Sequence, residues 1–318
     1  MKKISVFDTT ISDYNLGNEI IMESIYKNLR EIFSNDFFFK LPYMEITSHT
    51  VDYIKNSDLI FFGGTNALTS RMEKYKQWGL SLRNFNKIKD VVLMGLGWWQ
   101  YQEEKTSFYT KILLSHSLSK NYLHAVRDGY TERKLKEMGL ENVINTGCPT
   151  LWDLTENHCS LVPEKKANCV VTTLTDYKPD KESDSEFLRF LDLNYQHIYF
   201  WLQGSGDFDY LNSLKVNLNK LSIVPPVLEK FTQLLKDKEI DYVGTRLHAG
   251  IKAIQLKKRS FIISVDNRAK EMGKDFNLPV IDRGDLNALS SLVNGIYKLK
   301  IRINQENILR WKKQFIEQ

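Results

Sequence analysis

The feature that most restricts the folds open to this chain is a repeated unit. A short apolar run leads into a turn of glycine or polar residues, and an amphipathic helix follows. The fullest example spans Ile240 to Ile254. Ile240 to Val243 reads as a buried strand, Gly244 lets the backbone turn, and Thr245 is a good N-cap residue. Leu247, Gly250, Ile251 and Ile254 then fall on one helical face. The strand half of the unit recurs at Ile4–Phe7, Asp58–Thr65, Asp90–Gly97, Tyr122–Asp128, Val170–Leu174, His197–Gln203 and Ser260–Val265. Alternating strands and helices imply parallel sheets covered on both faces, with ligands at the carboxyl ends of the strands.

A chain of 318 residues suggests two domains. Residues 152–166 are polar, carry Pro163 and read as a linker. The expected architecture is α/β, two Rossmann-like lobes with parallel sheets and a cleft between them. The lobes are expected over residues 1–155 and 167–300, with a final helix in 301–318 packing back on the first lobe. A further helix is expected within Ser70 to Arg83, and Asn18 is expected to cap the helix that carries Ile21, Ile25 and Leu29.

Composition narrows the partners. The net charge of +5 suits an anionic ligand but lacks the basic clusters of a nucleic-acid binder. Three cysteines without a C-x-x-C pair suggest neither a disulfide framework nor a zinc site, and fit a reducing cytoplasm. No Asp, Glu or His cluster suggests a metal. The start, Met1 to Asp8, reads as a first strand rather than a signal peptide, and no run approaches the roughly 18 apolar residues that span a membrane.

Chemistry-bearing residues collect at the expected strand ends. Arg246 and His248 fall in the first turn of a helix, where free backbone N–H groups and the helix dipole attract anions. Arg246 adds a fork for phosphate or carboxylate, and His248 is suited to accept a proton near neutral pH. Gly63 and Gly64 form a turn where backbone N–H groups can approach a ligand. Trp98 and Trp99 follow Gly97 and suit either stacking on a sugar ring or packing into the core or its rim. Arg127 and Asp128, Gln203, and Asp266 to Arg268 end other strands. The remaining five histidines read as structural or solvated. Lys257, Lys258 and Arg259 form a small basic run suited to a solvated helix end or an anionic membrane surface.

Several of these segments have a counterpart elsewhere. Gly244-Thr-Arg-Leu-His-Ala-Gly250 resembles the small-x-Arg-aromatic/Leu-His turn of the polysaccharide pyruvyl transferase family. Asp266-Asn-Arg268 through Asn277-Leu-Pro279 resembles its Asp-x-Lys … Leu-Gly-Leu-Pro segment, with Arg268 in place of lysine. Asn15-Leu-Gly-Asn-Glu19 is similar to its Asn-x-Gly-Asp-Glu, Phe62-Gly-Gly-Thr65 to its Gly-Gly-Gly, and Val126-Arg-Asp128 to its Arg-Asp after a strand. The resemblance runs over almost the whole chain. Asn18 replaces an aspartate and Thr65 the third glycine.

The resemblance implies a glycosyltransferase-B-like fold and transfer of a pyruvyl group from phosphoenolpyruvate to two sugar hydroxyls as a cyclic ketal. On that basis His248 and Arg246 are the expected catalytic residues. Arg127, Thr245, Arg246, Leu247, Arg268 and Gln203 are expected on the donor. Asn15, Gly17, Asn18, Gly63, Gly64, Trp98 and Trp99 are expected on the acceptor. No metal and no cofactor beyond the donor substrate is implied. The expected partners are phosphoenolpyruvate and a glycan or lipid-linked sugar acceptor, in the cytoplasm or at the inner face of the membrane, with peripheral membrane contact and no nucleic acid. Two other readings remain open. One is a nucleotide-sugar glycosyltransferase of the same fold, with Glu271 or Asp285 on the ribose. The other is a non-catalytic glycan-assembly protein derived from the family.

Overall fold

The structure is a computed structural model that describes residues 1–218 and 220–316. Two compact units form. The first comprises Met1–Asp13, Ile21–Trp152 and the chain from Ile303; the second comprises Tyr14–Ile20 and Asp153–Arg302.

In the first unit the strands are β1 (Lys3–Asp8), β2 (Phe37–Pro42), β3 (Leu59–Gly63), β4 (Val91–Leu96), β5 (His124–Val126) and β6 (Val143–Asn145). All pair in parallel in the order β2-β1-β3-β4-β5-β6. The order reverses between β1 and β3, which makes their carboxyl ends the switch point of this sheet. The helices are α1 (Gly17–Ile32), which belongs to this unit from Ile21 onward, α2 (Ser48–Lys55), α3 (Phe108–Ser117) and α4 (Gly129–Lys136), with α12 (Gln305–Lys313) from the end of the chain. Trp311 of α12 is fully buried and meets Phe61 of β3 edge-on, with ring centroids 6.1 Å apart.

The second unit holds β7 (Cys169–Thr172), β8 (His197–Trp201), β9 (Leu221–Val224), β10 (Ile240–Gly244), β11 (Ser260–Ser264) and β12 (Val280–Asp282). These too are parallel, in the order β12-β11-β10-β7-β8-β9. Renumbered within the unit this is the doubly wound order 3-2-1-4-5-6, with its switch point between β7 and β10. Its helices are α5 (Glu156–Ser160), α6 (Lys181–Asn194), α7 (Asp207–Ser213), α8 (Leu228–Asp237), α9 (Leu247–Gln255), α10 (Asn267–Phe276) and α11 (Leu286–Asn294). Strands β10 and β11 are buried at every position, as strands covered by helices on both faces must be.

Several local expectations need correction. No α-helix forms within 70–83; the stretch is turns and bends that bury Met72, Trp78 and Leu80. Gly79 donates to the Tyr43 carbonyl at 2.9 Å, and tertiary packing there overrides a weak helical pattern. The segment read as a linker contains α5 and buries Leu154, Cys159 and Val162. Strand β9 was not expected. Arg259 is not at a solvated helix end: it is buried, pairs with Asp241 at 3.2 Å and donates to the Leu292, Val293 and Gly295 carbonyls at the carboxyl end of α11.

Candidate active site

The site is built at the switch point of the second unit, where the chain leaving β7 meets the chain leaving β10. Thr245 N donates to the Thr173 carbonyl at 3.0 Å, and the Thr173 and Tyr242 hydroxyls lie 2.7 Å apart. These bonds bring Thr173–Tyr177 beside Thr245–His248. The helix after β10 begins one residue later than expected. Its N-cap is Arg246, whereas the Thr245 hydroxyl pairs with Thr175 at 2.8 Å. Arg246 supplies no side-chain cap, so nothing from its own side chain covers the first-turn N–H groups of α9.

A small pocket lies here. Thr245, Arg246, Leu247, His248, Arg268 and Gln203 all line it, so the residues expected on the donor from 200 onward come together. Asn15, expected on the acceptor, joins them. Its Oδ1 accepts from Gly17 N at 2.9 Å and from Gln203 Nε2 at 2.8 Å. Asn15 therefore does the work at the start of α1 that the sequence assigned to Asn18, which lies inside the first turn.

The charges differ from the simple expectation. Arg246 was expected to be a cation available to an anion, but Nε donates to the Leu174 carbonyl at 2.8 Å and Nη2 bonds Asp176 at 2.8 Å and also Asp207. Asp207 is completely buried; its other oxygen accepts from Gln203 N at 3.0 Å and Gly204 N at 2.8 Å. Only glycine fits at 204, because a Cβ there would lie 2.4 Å from Arg246 Nη2. Arg268 is matched in the same way, with Nε 2.9 Å from Asp266, whose carboxylate also caps α10. The two guanidinium groups are thus offset by carboxylates, and the start of α9 brings the positive end of a helix dipole to the same pocket.

Tyr177 was not anticipated. It is half-exposed, donates to Asp266 at 3.3 Å and hydrogen-bonds Arg268. The Arg246 and Arg268 guanidinium carbons lie 5.3 Å and 5.8 Å from its ring centre, within cation–π range. Asp176 and Tyr177 follow β7 in a segment with no motif. Asp207 did carry a signal, an acidic residue directly after Gly204-Ser-Gly206, but its partner is 39 residues away.

Gly17 and Asn18 of the second unit do not line this pocket, nor do the other expected residues, all of the first unit. Arg127 is almost fully buried, bonding Asp128 through Nε at 3.1 Å and Asn66 through Nη1 at 2.6 Å. Its guanidinium lies on Gly97, where a Cβ would be 2.1 Å from it. Gly63 and Gly64 admit α1: added Cβ atoms would meet Ile25 at 2.6 Å and Ile21 at 2.2 Å. Trp98 is fully buried and donates to Gln102 at 2.9 Å, so it has no face for a sugar. Trp99 is partly exposed and packs on Tyr75 with centroids 4.7 Å apart. Thr65 has φ +58°, so a β-branched residue occupies the backbone conformation that glycine favours.

Among the described residues no group of three or more His, Cys, Asp or Glu side chains could hold a metal ion. No helix among them is long and apolar enough to cross a membrane. Of the acidic residues considered for a ribose, Asp285 caps α11 through Ala288 N at 2.9 Å and Glu271 is buried on α10.

The fold has solved relatives. A Methanocaldococcus jannaschii UDP-GlcNAc 2-epimerase in complex with UDP-GlcNAc and UDP matches with TM-score 0.56 and 14% identity, over 99% of this chain and 100% of that one. The S. aureus MnaA–UDP co-structure matches with TM-score 0.54 and 12% identity, over 100% and 97%. The E. coli heptosyltransferase WaaC with ADP-2-deoxy-2-fluoro heptose matches over 99% of both chains at 10% identity and TM-score 0.42. At such identities the first two matches show fold alone, the glycosyltransferase-B-like α/β class expected from the sequence. Comparison with curated proteins gives no match. The sequence itself is more specific: residues 15–267 match the family described as polysaccharide pyruvyl transferase, and the chain belongs to that family.

Proposed function

We propose that this protein transfers a pyruvyl group from phosphoenolpyruvate to two hydroxyls of a sugar in a polysaccharide or its lipid-linked precursor, with the donor bound in the pocket of the second unit. The observation that carries this reading is the start of α9. Its N-cap residue Arg246 supplies no side-chain cap, His248 lies in its first turn, and it faces a pocket shared with Arg246 and Arg268. A helix start of this kind takes a phosphate or carboxylate, and phosphoenolpyruvate has one of each.

The reaction balances without an oxidant. One sugar hydroxyl adds to C2 of phosphoenolpyruvate while the methylene carbon gains a proton and becomes methyl. The C–O bond to phosphate then breaks, the second hydroxyl adds at C2, and its proton leaves with the phosphate. His248 is the group suited to take the hydroxyl proton and return one to carbon. Arg246, fixed by Asp207 and Asp176, supplies a located charge near the departing phosphate rather than a mobile clamp. No step is assigned to Arg127.

The UDP named in two of the fold relatives makes a nucleotide sugar the alternative donor. The commitment of Asp285 to capping and the burial of Glu271 weigh against the ribose contacts expected for it. The test is His248→Ala, assayed for phosphate release with acceptor and for donor binding. Transfer is expected to fall by at least about 10²-fold, the scale of general acid–base catalysis. Donor affinity is expected to stay within about tenfold, because the α9 backbone remains. Turnover at the wild-type rate would remove His248 from the chemistry.

A further inference from the structure

Gln203 carries an acceptor oxygen that no described residue meets. The identity of its terminal atoms follows from a chain of bonds. Gly17 N–H can only donate, and it points at Asn15 Oδ1 from 2.9 Å. That atom is therefore an acceptor, so the Gln203 atom 2.8 Å from it is the donating Nε2. The remaining atom, Oε1, is buried and has no hydrogen-bond partner among the described residues. The side chain is 4% exposed and lines the pocket beside His248. It is also held in place. Gln203 N donates to Asp207 at 3.0 Å, its carbonyl accepts from Leu16 N at 3.0 Å, and a Cβ on Gly17 would lie 2.7 Å from Nε2. Leaving a buried acceptor unmet costs about 1–3 kcal/mol. The fold keeps this one fixed in the pocket where a ligand is to bind.

We infer that Gln203 Oε1 accepts a hydrogen bond from a hydroxyl of the sugar acceptor. The inference rests on the pyruvyl-transfer reading for the identity of the second ligand. The chemistry of the atom selects between the two substrates. The phosphate and carboxylate of phosphoenolpyruvate present acceptor oxygens, which a lone carbonyl repels. A sugar hydroxyl presents a donor. Gln203 thus moves from the donor set, where the sequence placed it, to the acceptor. The Asn15–Gln203 pair becomes a positioning device that brings a hydroxyl into the pocket that holds His248, where its proton must be removed.

Wild type, Gln203→Met and Gln203→Glu, each as the full chain and checked by thermal melting, are titrated with phosphoenolpyruvate. They are then titrated with a panel of methyl hexopyranosides, with and without phosphoenolpyruvate. Methionine removes the acceptor oxygen; glutamate keeps one, and its second oxygen, protonated in this buried position, can still donate to Asn15 Oδ1. At least one hexoside is expected to bind wild type, to weaken about tenfold in Gln203→Met, as for loss of one hydrogen bond, and to weaken less in Gln203→Glu. Phosphoenolpyruvate affinity is expected to change by less than about threefold in Gln203→Met, below the scale of a lost hydrogen bond. Failure of every hexoside to bind wild type, equal losses in both variants, or loss of phosphoenolpyruvate binding in Gln203→Met overturns the assignment. Gln203-dependent hexoside binding in a protein that does not bind phosphoenolpyruvate keeps the subsite and refutes the donor instead. If Gln203→Met does not fold, a crystal structure of wild type with both ligands decides. A hexoside hydroxyl within about 3.2 Å of Oε1 is expected, and a phosphate or carboxylate oxygen there contradicts the proposal.

Discussion

Asp207→Asn tests the way the site is held together. Asp207 is completely buried and serves three donors: Gln203 N, Gly204 N and the Arg246 guanidinium. Asparagine is nearly the same size and its oxygen can keep the two backbone bonds. Its NH2 group then faces Arg246 Nη2, so a donor meets a donor. Breaking a buried ion pair by removing one partner costs about 3–5 kcal/mol. Asp176 still pairs with Arg246 at 2.8 Å, but its side chain is 29% exposed and screened by solvent, so it recovers only part of the loss. The expected cost is about 2–4 kcal/mol of stability in the second unit. Hydrogen exchange by mass spectrometry localises it: peptides covering residues 200–215 lose protection, while peptides of the first unit such as 59–63 do not. A change below about 0.5 kcal/mol would refute the reasoning, because that is the scale of an ordinary surface substitution.

Other outcomes follow from single residues. His124 is fully buried, accepts from Leu93 N at 3.1 Å and donates to the Ser119 carbonyl at 2.8 Å, and burial lowers its pKa from 6.5 to about 4. Below pH 6.5 the unfolded chain binds this proton and the folded one does not. Stability should therefore fall as the pH drops from 6.5 to 4, by about 3 kcal/mol in total. His124→Gln should flatten that slope by one proton, and an unchanged slope in urea titrations across this range would contradict it. Thr65→Gly should raise stability by up to about 1 kcal/mol, the relief of a left-handed residue less the flexibility of glycine; a loss in urea denaturation would mean that the Thr65 side chain contributes more than its backbone costs.

How far the sequence could be read follows from the range of each interaction. The stretch from Ile240 to Ile254 announced a strand, a turn and a helix because those patterns are local. The switch-point pocket could be expected from alternation alone, since ligands gather at the carboxyl ends of parallel strands. The state of Arg246 could not. Its partners Asp176 and Asp207 lie 70 and 39 residues away and arrive only when β7, β8 and β10 pair. The same distance hid Tyr177 and the role of Asn15, which reaches Gln203 across 188 residues. Trp98 misled for a related reason. An aromatic after a strand looks the same in sequence whether it faces a ligand or, as here, Gln102 and the first core. Likewise Gly63 and Gly64 look like a ligand-approach turn, but the close neighbour is α1.

The central claim is that the second unit's pocket takes phosphoenolpyruvate. Calorimetric titration of the folded wild-type chain with phosphoenolpyruvate, set against UDP- and CMP-sugars, tests it most directly. The account predicts saturable phosphoenolpyruvate binding, weakened in Arg246→Ala by about 1.5–3 kcal/mol. Saturable binding of a nucleotide sugar and none of phosphoenolpyruvate would contradict it.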